Sequence, residues 1–253
     1  MKFIATADTD IGIIKETNQD SILIKHASTA VGEVLLAAVC DGMGGLSKGE
    51  LASATVIRAF SQWFEKELPN ELRDVNMDVI AGKWELLLKD LNLVILNYGK
   101  KNGITLGTTF TGVLFINDMY LIAHIGDSRL YHINTEIRQE TEDHTLVARE
   151  VASGNISEEQ ADIDKRRNIL LQCIGASSFI KPQIVKGTLE KGVYMVCSDG
   201  FRHEVSNKEM LNLLNPTKLL NKKIMHINAQ HLIDLAKKRR ERDNISVVLI
   251  KVQ

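Results

Sequence analysis

The sequence predicts an α+β fold in four layers, in the order helix, sheet, sheet, helix. Apolar strand-like runs are joined by short turns, which imply antiparallel pairing because parallel strands need longer crossovers. Several of these runs are apolar at consecutive positions, as is typical of strands covered on both faces. Long amphipathic segments supply the helices that would flank two central, mainly antiparallel sheets.

Strands are expected along the whole chain, wherever apolar and β-branched residues form short runs. In order they lie at residues 3–7, 21–25, 34–40, 107–116, 119–125, 129–133, 137–140, 183–189, 193–197 and 245–250. Turn residues connect successive runs into hairpins, at 28–33, 117–118, 134–136 and 190–192.

The covering helices are expected in three places. The first begins at a capping box of Ser47 and Glu50 and runs to about residue 68. The second spans about 75–100 and would lie beside the first, and the third spans about 227–240.

Residues 145–168 are polar and differ from the rest of the chain. A short helix is expected to end at Gly154, and Ser157 with Gln160 forms a capping box that opens another. We therefore expect a surface flap here. No proline-rich linker or internal repeat marks a boundary, so residues 1–253 are expected to form a single domain with this flap as a subdomain.

The composition is that of an ordinary globular protein, with 44% hydrophobic and 25% charged residues and a net charge of −1. This balance gives no general affinity for nucleic acid or membrane, and we expect a monomer. Cys40, Cys173 and Cys197 have neither metal-ligand nor redox spacing, so reduced thiols in the cytoplasm are expected. The N-terminus has no signal-peptide core, and the longest apolar run, 34–40, is too short to span a bilayer.

Four apolar runs each carry an aspartate at one end, namely Asp41, Asp127, Asp199 and Asp243. Aspartate is a poor strand residue, and an ionised carboxylate beside apolar runs is costly unless a cation or hydrogen-bond donors satisfy it. The pattern makes sense if the strands converge and their carboxylates share metal ions. Asp41 also begins a glycine-rich motif, DGMGG, in which the backbone can approach a ligand closely.

The ligand types indicate a hard cation. No cysteine pair or HxxxH spacing favours zinc, whereas oxygen ligands suit Mg²⁺ or Mn²⁺. One aspartate shared by two ions would give a phosphoryl hydrolase in which activated water attacks phosphorus directly, without a covalent phospho-enzyme.

Short motifs rich in aspartate, glycine and threonine recur through nearly the whole chain. They are GIIKETNQD (12–20), DGMGG (41–45), GTTFTG (107–112), GDSR (126–129), DHT (143–145), SDG (198–200) and RDN (242–244). In content and order they resemble those of the metal-dependent protein phosphatases (PPM, or type 2C, serine/threonine phosphatases) in their bacterial form. The resemblance implies an αββα sandwich and a signalling enzyme that dephosphorylates serine and threonine in protein targets of a kinase.

Position by position, the resemblance also implies a metal site for two Mn²⁺ or Mg²⁺ ions. Asp41 would bridge both ions, and the carbonyl oxygen of Gly42 would be a ligand of one. Asp199 and Asp243 would bind the other. Together with Lys15, these three aspartates would be the catalytic residues.

Further positions follow from the same resemblance. Asp127, with Asp199, would bind the weaker third ion of bacterial members, and Asp20 would act through water in the outer shell. Lys15 falls at the position of the family's phosphate-binding arginine. The flap at 145–168 would influence the choice of protein substrate.

The chain departs from the family pattern at four positions. Lys15 keeps the positive charge but lacks the bidentate fork of arginine, so we expect weaker phosphate binding. Gln19 replaces an acidic ligand of eukaryotic members, as in many bacterial relatives. Met43 replaces a histidine proposed as general acid, so the leaving-group proton must come from another group or from metal-bound water. His203 replaces a second acidic residue near the third metal.

Structural roles are expected for four more residues in or near the motifs. Arg129 should pair with a nearby carboxylate, and His144 should fix the entry to the flap. His124 and His132 flank strand runs and are expected to pack as ordinary core or surface residues.

Three other functions are weighed against the phosphatase. A non-catalytic phosphoprotein-binding module of the same fold would explain Lys15 and His203 as signs of decay, but all the metal aspartates are present. A dinucleotide binder is disfavoured because the glycines after Asp41 form no GxGxxG and the strands pair as hairpins. A haloacid-dehalogenase-type phosphatase would need an Asp-x-Asp pair on a parallel sheet, and neither is indicated.

Overall fold

The computed structural model describes residues 1–43 and 48–253 and confirms the four predicted layers. The strands are β1 (Phe3–Asp10), β2 (Ser21–Thr29), β3 (Gly32–Cys40), β4 (Phe110–Ile116), β5 (Met119–Ile125), β6 (Arg129–Ile133), β7 (Ile137–Gln139), β8 (Gln183–Thr188), β9 (Gly192–Cys197) and β10 (Ile245–Val252). The helices are α1 (Gly49–Lys66), α2 (Leu68–Glu71), α3 (Met77–Asn102), α4 (Leu146–Ala152), α5 (Glu158–Ile163), α6 (Asp199–Arg202), α7 (Asn207–Leu214) and α8 (Lys222–Lys238). No helix among the described residues is long and apolar enough to cross a membrane.

Two five-stranded antiparallel sheets form the centre of the molecule. The first sheet has the strand order β1-β10-β9-β6-β7, and the second has the order β2-β3-β4-β5-β8. Apolar side chains from both sheets, such as Leu35, Phe115 and Val248, meet between them in one buried cluster. This double coverage explains why these strands are apolar at consecutive positions.

The outer layers are built as the helical patterns predict. Helices α1 and α3 lie side by side on the second sheet, where the rings of Phe60 and Trp84 are 5.0 Å apart and Phe60 stacks on Phe110 at 4.2 Å. Helix α8 covers the first sheet and begins earlier than predicted, at Lys222, because the side chain of Asn221 caps it.

Two details of the helix predictions come out differently. The capping box at Ser47 lies outside the described residues, and the described part of the first helix begins at Gly49. Helix α7 was not predicted, although Ser206 and Glu209 form a capping box at its start and its Met210 and Leu214 are buried.

One predicted hairpin is wrong. Strands β8 and β9 follow each other in sequence, but β8 pairs with β5 in the second sheet and β9 pairs with β6 and β10 in the first. The chain crosses between the sheets because Leu189 is buried in the inter-sheet cluster, where its N–H donates to the carbonyl oxygen of Asp118 at 2.6 Å. The three-residue turn signal at 190–192 therefore marks a crossover.

The segment predicted to be a flap contains two short helices. Helix α4 ends before Gly154, which has a φ of 71°, and α5 opens with the predicted capping box of Ser157 and Gln160. The backbone of His144 ties the start of this segment to the end of β5 and to the chain that leaves the segment, as expected for a residue at its entry. Its N–H donates to the carbonyl oxygen of Gly126 at 2.7 Å, and its own carbonyl oxygen accepts from the N–H of Leu171 at 2.8 Å.

Candidate active site

The strand register brings the predicted site residues to one edge of both sheets, the edge that is formed by the ends of the strands. In the first sheet Asp10 pairs with Ile245, and Cys197 pairs with Val247, so the loop after β1, Asp199 and Asp243 lie at the same edge. In the second sheet the end of β3 pairs with the start of β2, and the end of β5 pairs with the start of β4. Asp41, Asp20 and Asp127 therefore follow or precede those strands at the corresponding edge.

The charges of these aspartates act on one another. Burial, and then the charges of Asp20 and Asp199, hold the pKa of Asp41 well above its usual range. Burial and the charge of Asp199 raise the pKa of Asp20 to about 7, and the same two causes raise the pKa of Asp127 to about 7. The charge of Asp243 adds to the effect on Asp41 and Asp20. The structure thus brings all five predicted aspartates within electrostatic reach of one another.

Several of these carboxylate oxygens lack a partner. Both Oδ atoms of Asp20 and Oδ1 of Asp199 are buried without a hydrogen bond from the described part of the chain. The hydroxyls of Ser198 and Ser246 lie close enough to lower the pKa of Asp20, but neither bonds it in good geometry. Unpartnered buried carboxylates next to each other are unfavourable unless cations join them, so the residues fit divalent ions.

The carboxylates are not drawn together around a single point. Within residues 1–43 and 48–253, no three His, Cys, Asp or Glu side chains are close enough to hold one ion between them. Mg²⁺ and Mn²⁺ are commonly held by one or two carboxylates, with water in the remaining positions, so a spread set of aspartates suits them better than zinc.

The backbone around Asp41 is held by the GTTFTG motif. The carbonyl oxygen of Asp41 accepts two hydrogen bonds, from the N–H of Thr109 and from the hydroxyl of Thr108, both at 2.8 Å. The N–H of Asp41 donates to Oγ1 of Thr109 at 2.9 Å. A Cβ on Gly42 would lie 2.4 Å from the carbonyl oxygen of Gln19 and 2.6 Å from that of Gly49. Only glycine fits there, and its carbonyl group lies at the edge where the aspartates meet.

Lys15 reaches the same edge from the loop after β1. Its Nζ lies 2.8 Å from Oδ1 of Asp243, and its side chain is 27% exposed. Burial lowers the pKa of Lys15, but the hydrogen bond and charge of Asp243, with the charges of Asp41 and Asp199, outweigh it and raise the pKa. Lys15 is therefore a fixed positive charge on a side chain that is partly open to solvent.

Asn244 holds this loop, a role that the sequence motif alone did not reveal. Its Nδ2 donates to the carbonyl oxygens of Ile11 at 2.9 Å and Thr17 at 3.2 Å, and its Oδ1 accepts from the N–H of Gln19 at 2.9 Å. Asn244 is 2% exposed, so the bonds are shielded from water on its side, although Ile11 and Thr17 are exposed. The three contacts span more than two hundred residues of sequence and only the fold shows them.

Replacing Asn244 with alanine is expected to destabilise the protein by about 2–3 kcal/mol, because it removes three partly buried hydrogen bonds that hold the loop. The KM for a phosphorylated substrate should rise as well, since the loop carries Lys15. Denaturant unfolding and steady-state kinetics measure the two effects. The control is Asn102→Ala, which removes an exposed side-chain hydrogen bond to the carbonyl oxygen of Tyr98 at the end of α3. It should change neither the stability nor the KM by much. An Asn244→Ala variant with wild-type stability would show that the loop is held by other contacts.

Beside the aspartates lie two cationic or titratable side chains. His203 lies between Asp199 and Glu241, with a nitrogen 3.6 Å from an oxygen of each. Arg202 donates to the carbonyl oxygen of Asp127 at 3.0 Å, and its charge opposes the rise in the pKa of that residue. Neither Arg202 nor Glu241 stood out in the sequence.

The residues expected to be structural have that role. Arg129 makes a bidentate pair with Asp143, with both N···O distances 2.8 Å. Burial would raise the pKa of Asp143, but Arg202 and Arg129 outweigh it and lower the pKa. His124 is fully buried, and burial lowers its pKa to about 3, so it is a neutral packing residue. His132 is buried against the ring of Tyr194 at 4.6 Å.

Comparison with known proteins gives the same result from several directions. A family model described as Protein phosphatase 2C matches residues 14–230. The serine/threonine phosphatase Stp of Listeria innocua is 31% identical over 254 residues, covering 96% of this chain and 93% of the Listeria protein. The structure of the Streptococcus agalactiae serine/threonine phosphatase matches with a TM-score of 0.85 at 30% identity, over 100% of both chains. The catalytic domain of PstP in complex with two manganese ions matches with a TM-score of 0.79 at 26% identity, over 98% of this chain and 97% of that one.

The αββα sandwich and these relatives together define the class of the protein as a serine/threonine protein phosphatase. The chain belongs to the protein phosphatase 2C (PPM) family, in its bacterial form. The resemblance drawn from the sequence motifs is therefore confirmed, and the alternative of a dinucleotide binder or a haloacid-dehalogenase fold is excluded by the antiparallel sheets.

Proposed function

We propose that this enzyme hydrolyses phosphoserine and phosphothreonine in protein targets of a serine/threonine kinase, by direct attack of water on phosphorus. The observation that carries the proposal is the group of five aspartates, in which both carboxylate oxygens of Asp20 and one of Asp199 are buried without a partner among the described residues. Asp41, the Gly42 carbonyl, Asp199 and Asp243 would hold two Mn²⁺ or Mg²⁺ ions. Asp127, with Asp199, would hold a third, and Asp20 would act through water.

Bound divalent cations would supply Lewis acidity toward the phosphoryl oxygens and lower the pKa of water. The residues of the chain do the rest by positioning. Thr108 and Thr109 fix the backbone of Asp41, and Asn244 fixes the loop of Lys15. Lys15, whose side chain is partly exposed, would bind a phosphate oxygen with its ammonium group.

The cysteine side chains argue against a phosphocysteine intermediate. Cys40 directly precedes Asp41 but is fully buried, and burial raises the pKa of its thiol well above the usual value. Burial raises the pKa of Cys197 to about 12 in the same way. Neither thiol would supply a thiolate nucleophile near pH 7. Met43 has no proton to give, so we place the general acid elsewhere.

We also infer that residues 1–253 act as one phosphatase domain and that the segment 145–168 contributes to the choice of protein substrate. Three free, buried cysteines support a reducing compartment such as the cytoplasm.

The test is a metal-dependence assay with p-nitrophenyl phosphate and with phosphoserine, phosphothreonine and phosphotyrosine peptides. Hydrolysis of the first three should require Mn²⁺ or Mg²⁺, stop in excess chelator and be lost on Asp199→Asn. The phosphotyrosine peptide should react slowly. Full activity in chelator would end the proposal, and binding of phosphopeptide without turnover would favour a non-catalytic module.

A further inference from the structure

A groove with a volume of about 700 Å³ lies beside β1 of the first sheet, and none of the five site aspartates lines it. Its walls are the middle of β1, Ile24 of β2 and the first turns of α8. β1 is the last strand of its sheet, so one side of the strand faces this groove without a neighbouring strand. Open strand edges are sites where another extended chain can pair.

The register of β1 shows which backbone groups face the open side. Lys2 and Gln253 exchange both backbone hydrogen bonds, at 3.2 and 3.1 Å. Hydrogen-bonded and non-hydrogen-bonded pairs alternate along an antiparallel ladder. Ala5 and Ala7, which pair with Ile250 and Val248 in β10, therefore point their N–H and C=O groups away from β10 and into the groove. In the described chain no residue bonds those groups.

The two faces of the groove differ in chemistry. Ala5 and Ala7 face the inter-sheet cluster together with Ile24, so this side of the groove is apolar. The alternate residues of β1 face α8, as the 2.9 Å contact between Asp8 and His226 shows. A strand added next to β1 would likewise point every second side chain toward the inter-sheet side and the others toward α8.

The α8 side of the groove carries an excess of positive charge. Lys222 and Lys223 are exposed and form no ion pair with any residue of 1–43 or 48–253, whereas His226 is already paired with Asp8. The positive end of the α8 dipole adds to the charge of the lysines. Side chains that point toward α8 should therefore be acidic.

We propose that the open edge of β1 binds an extended segment of a partner protein in which acidic and apolar side chains alternate, as an added strand of the first sheet. The apolar side chains would cover Ile24, and the acidic ones would face Lys222 and Lys223. Strand β1 leads from this groove to Asp10, directly before the Lys15 loop, and the three residues from Ala7 to Asp10 cover roughly 10 Å. A partner docked here would lie next to the phosphatase site without occupying it.

Binding is measured by fluorescence anisotropy with a labelled Glu-Val-Glu-Val-Glu-Val-Glu peptide in excess chelator, so that no catalysis is needed. The peptide should bind, and a Lys-Val-Lys-Val-Lys-Val-Lys peptide should not. Lys222→Glu combined with Lys223→Glu should weaken binding about tenfold. The double variant should fold, because acidic residues are favourable in the first turn of a helix. The control, Lys100→Glu with Lys101→Glu in the exposed last turn of α3 across the sandwich, makes the same change in net charge and should bind normally.

Methylated peptides test whether the segment pairs as a strand. In an antiparallel added strand the valines lie opposite Ala5 and Ala7 and donate to them, while the glutamate N–H groups face solvent. Methylation of every valine nitrogen should weaken binding at least about tenfold, and methylation of every glutamate nitrogen should not. Equal binding of the two methylated peptides, undiminished binding to the lysine variant, or a stable dimer through β1 that the peptide does not dissociate would overturn the proposal. Hydrolysis of p-nitrophenyl phosphate should be unchanged in all variants, so this test fails or succeeds independently of the proposed catalysis.

Discussion

Replacing Asp41 with asparagine is expected to stabilise the metal-free protein and at the same time to eliminate its phosphatase activity. In the absence of cations, burial and the charges of Asp20 and Asp199 act against the ionised form of Asp41. Asparagine keeps the shape of the side chain and removes the charge. The gain in stability should be on the order of 1 kcal/mol at pH 7, or roughly 2–4 °C in Tm for a chain of this length.

The activity of the Asp41→Asn variant should fall by about a thousandfold or more, since cation binding is worth several kcal/mol in the transition state. The same variant should lose the stabilisation that Mn²⁺ gives the wild-type protein, which is about 2.7 kcal/mol when the ion is present at one hundred times its Kd. Stability and activity therefore change in opposite directions, as expected where a folded protein concentrates like charges for function.

Thermal unfolding of the wild type, Asp41→Asn and Asp90→Asn, each in chelator and in Mn²⁺, measures these shifts. Asp90→Asn is the control, because Asp90 is exposed on α3 and its loss removes the same charge far from the cluster. A metal-free Asp41→Asn protein that melts below the wild type would show that the carboxylates do not repel each other as the geometry indicates. An undiminished Mn²⁺ effect on its Tm would show that Asp41 is not a ligand.

Much of the fold could be predicted because its local signals agree with its packing. The turn at 117–118 joins β4 and β5 as predicted, and the aspartates at strand ends meet because antiparallel neighbours bring those ends to one edge. The β8–β9 connection was mispredicted for a physical reason. Turn residues report only that the chain reverses direction, whereas the burial of Leu189 between the sheets decides which sheet the next strand joins.

The site was predictable in its charges but not in its supports. An aspartate beside an apolar run is conspicuous because it violates strand chemistry. Asn244 violates nothing in the sequence, and its importance arises from contacts with Ile11, Thr17 and Gln19 that exist only in the fold. The position of His203 between Asp199 and Glu241 likewise depends on the approach of two distant segments.

Replacing Lys15 with methionine is expected to raise the KM for phosphorylated substrates by about tenfold to a hundredfold, because it removes a charge-assisted hydrogen bond to phosphate whose free energy corresponds to that change in affinity. Lys15→Arg should have the opposite effect and lower the KM several-fold, because its planar fork can donate two bonds to one phosphate group. Inhibition by inorganic phosphate should change in the same directions. Lys25→Met on β2, which breaks an exposed pair with Glu65 of α1, should alter neither value.

The contact between Lys15 and Asp243 allows a second role, which the same variants separate. If Lys15 acted only to neutralise Asp243, methionine would change the affinity for Mn²⁺ and leave inhibition by phosphate intact. If it binds phosphate, the inhibition constant should change while the Mn²⁺ concentration for half-maximal stabilisation stays within about twofold of the wild type. Because the side chains of Lys15 and Asp243 are 27% and 39% exposed, water can solvate the carboxylate of Asp243 when the ammonium turns to an incoming phosphate. We therefore expect the phosphate role to dominate, and an unchanged inhibition constant in Lys15→Met would contradict it.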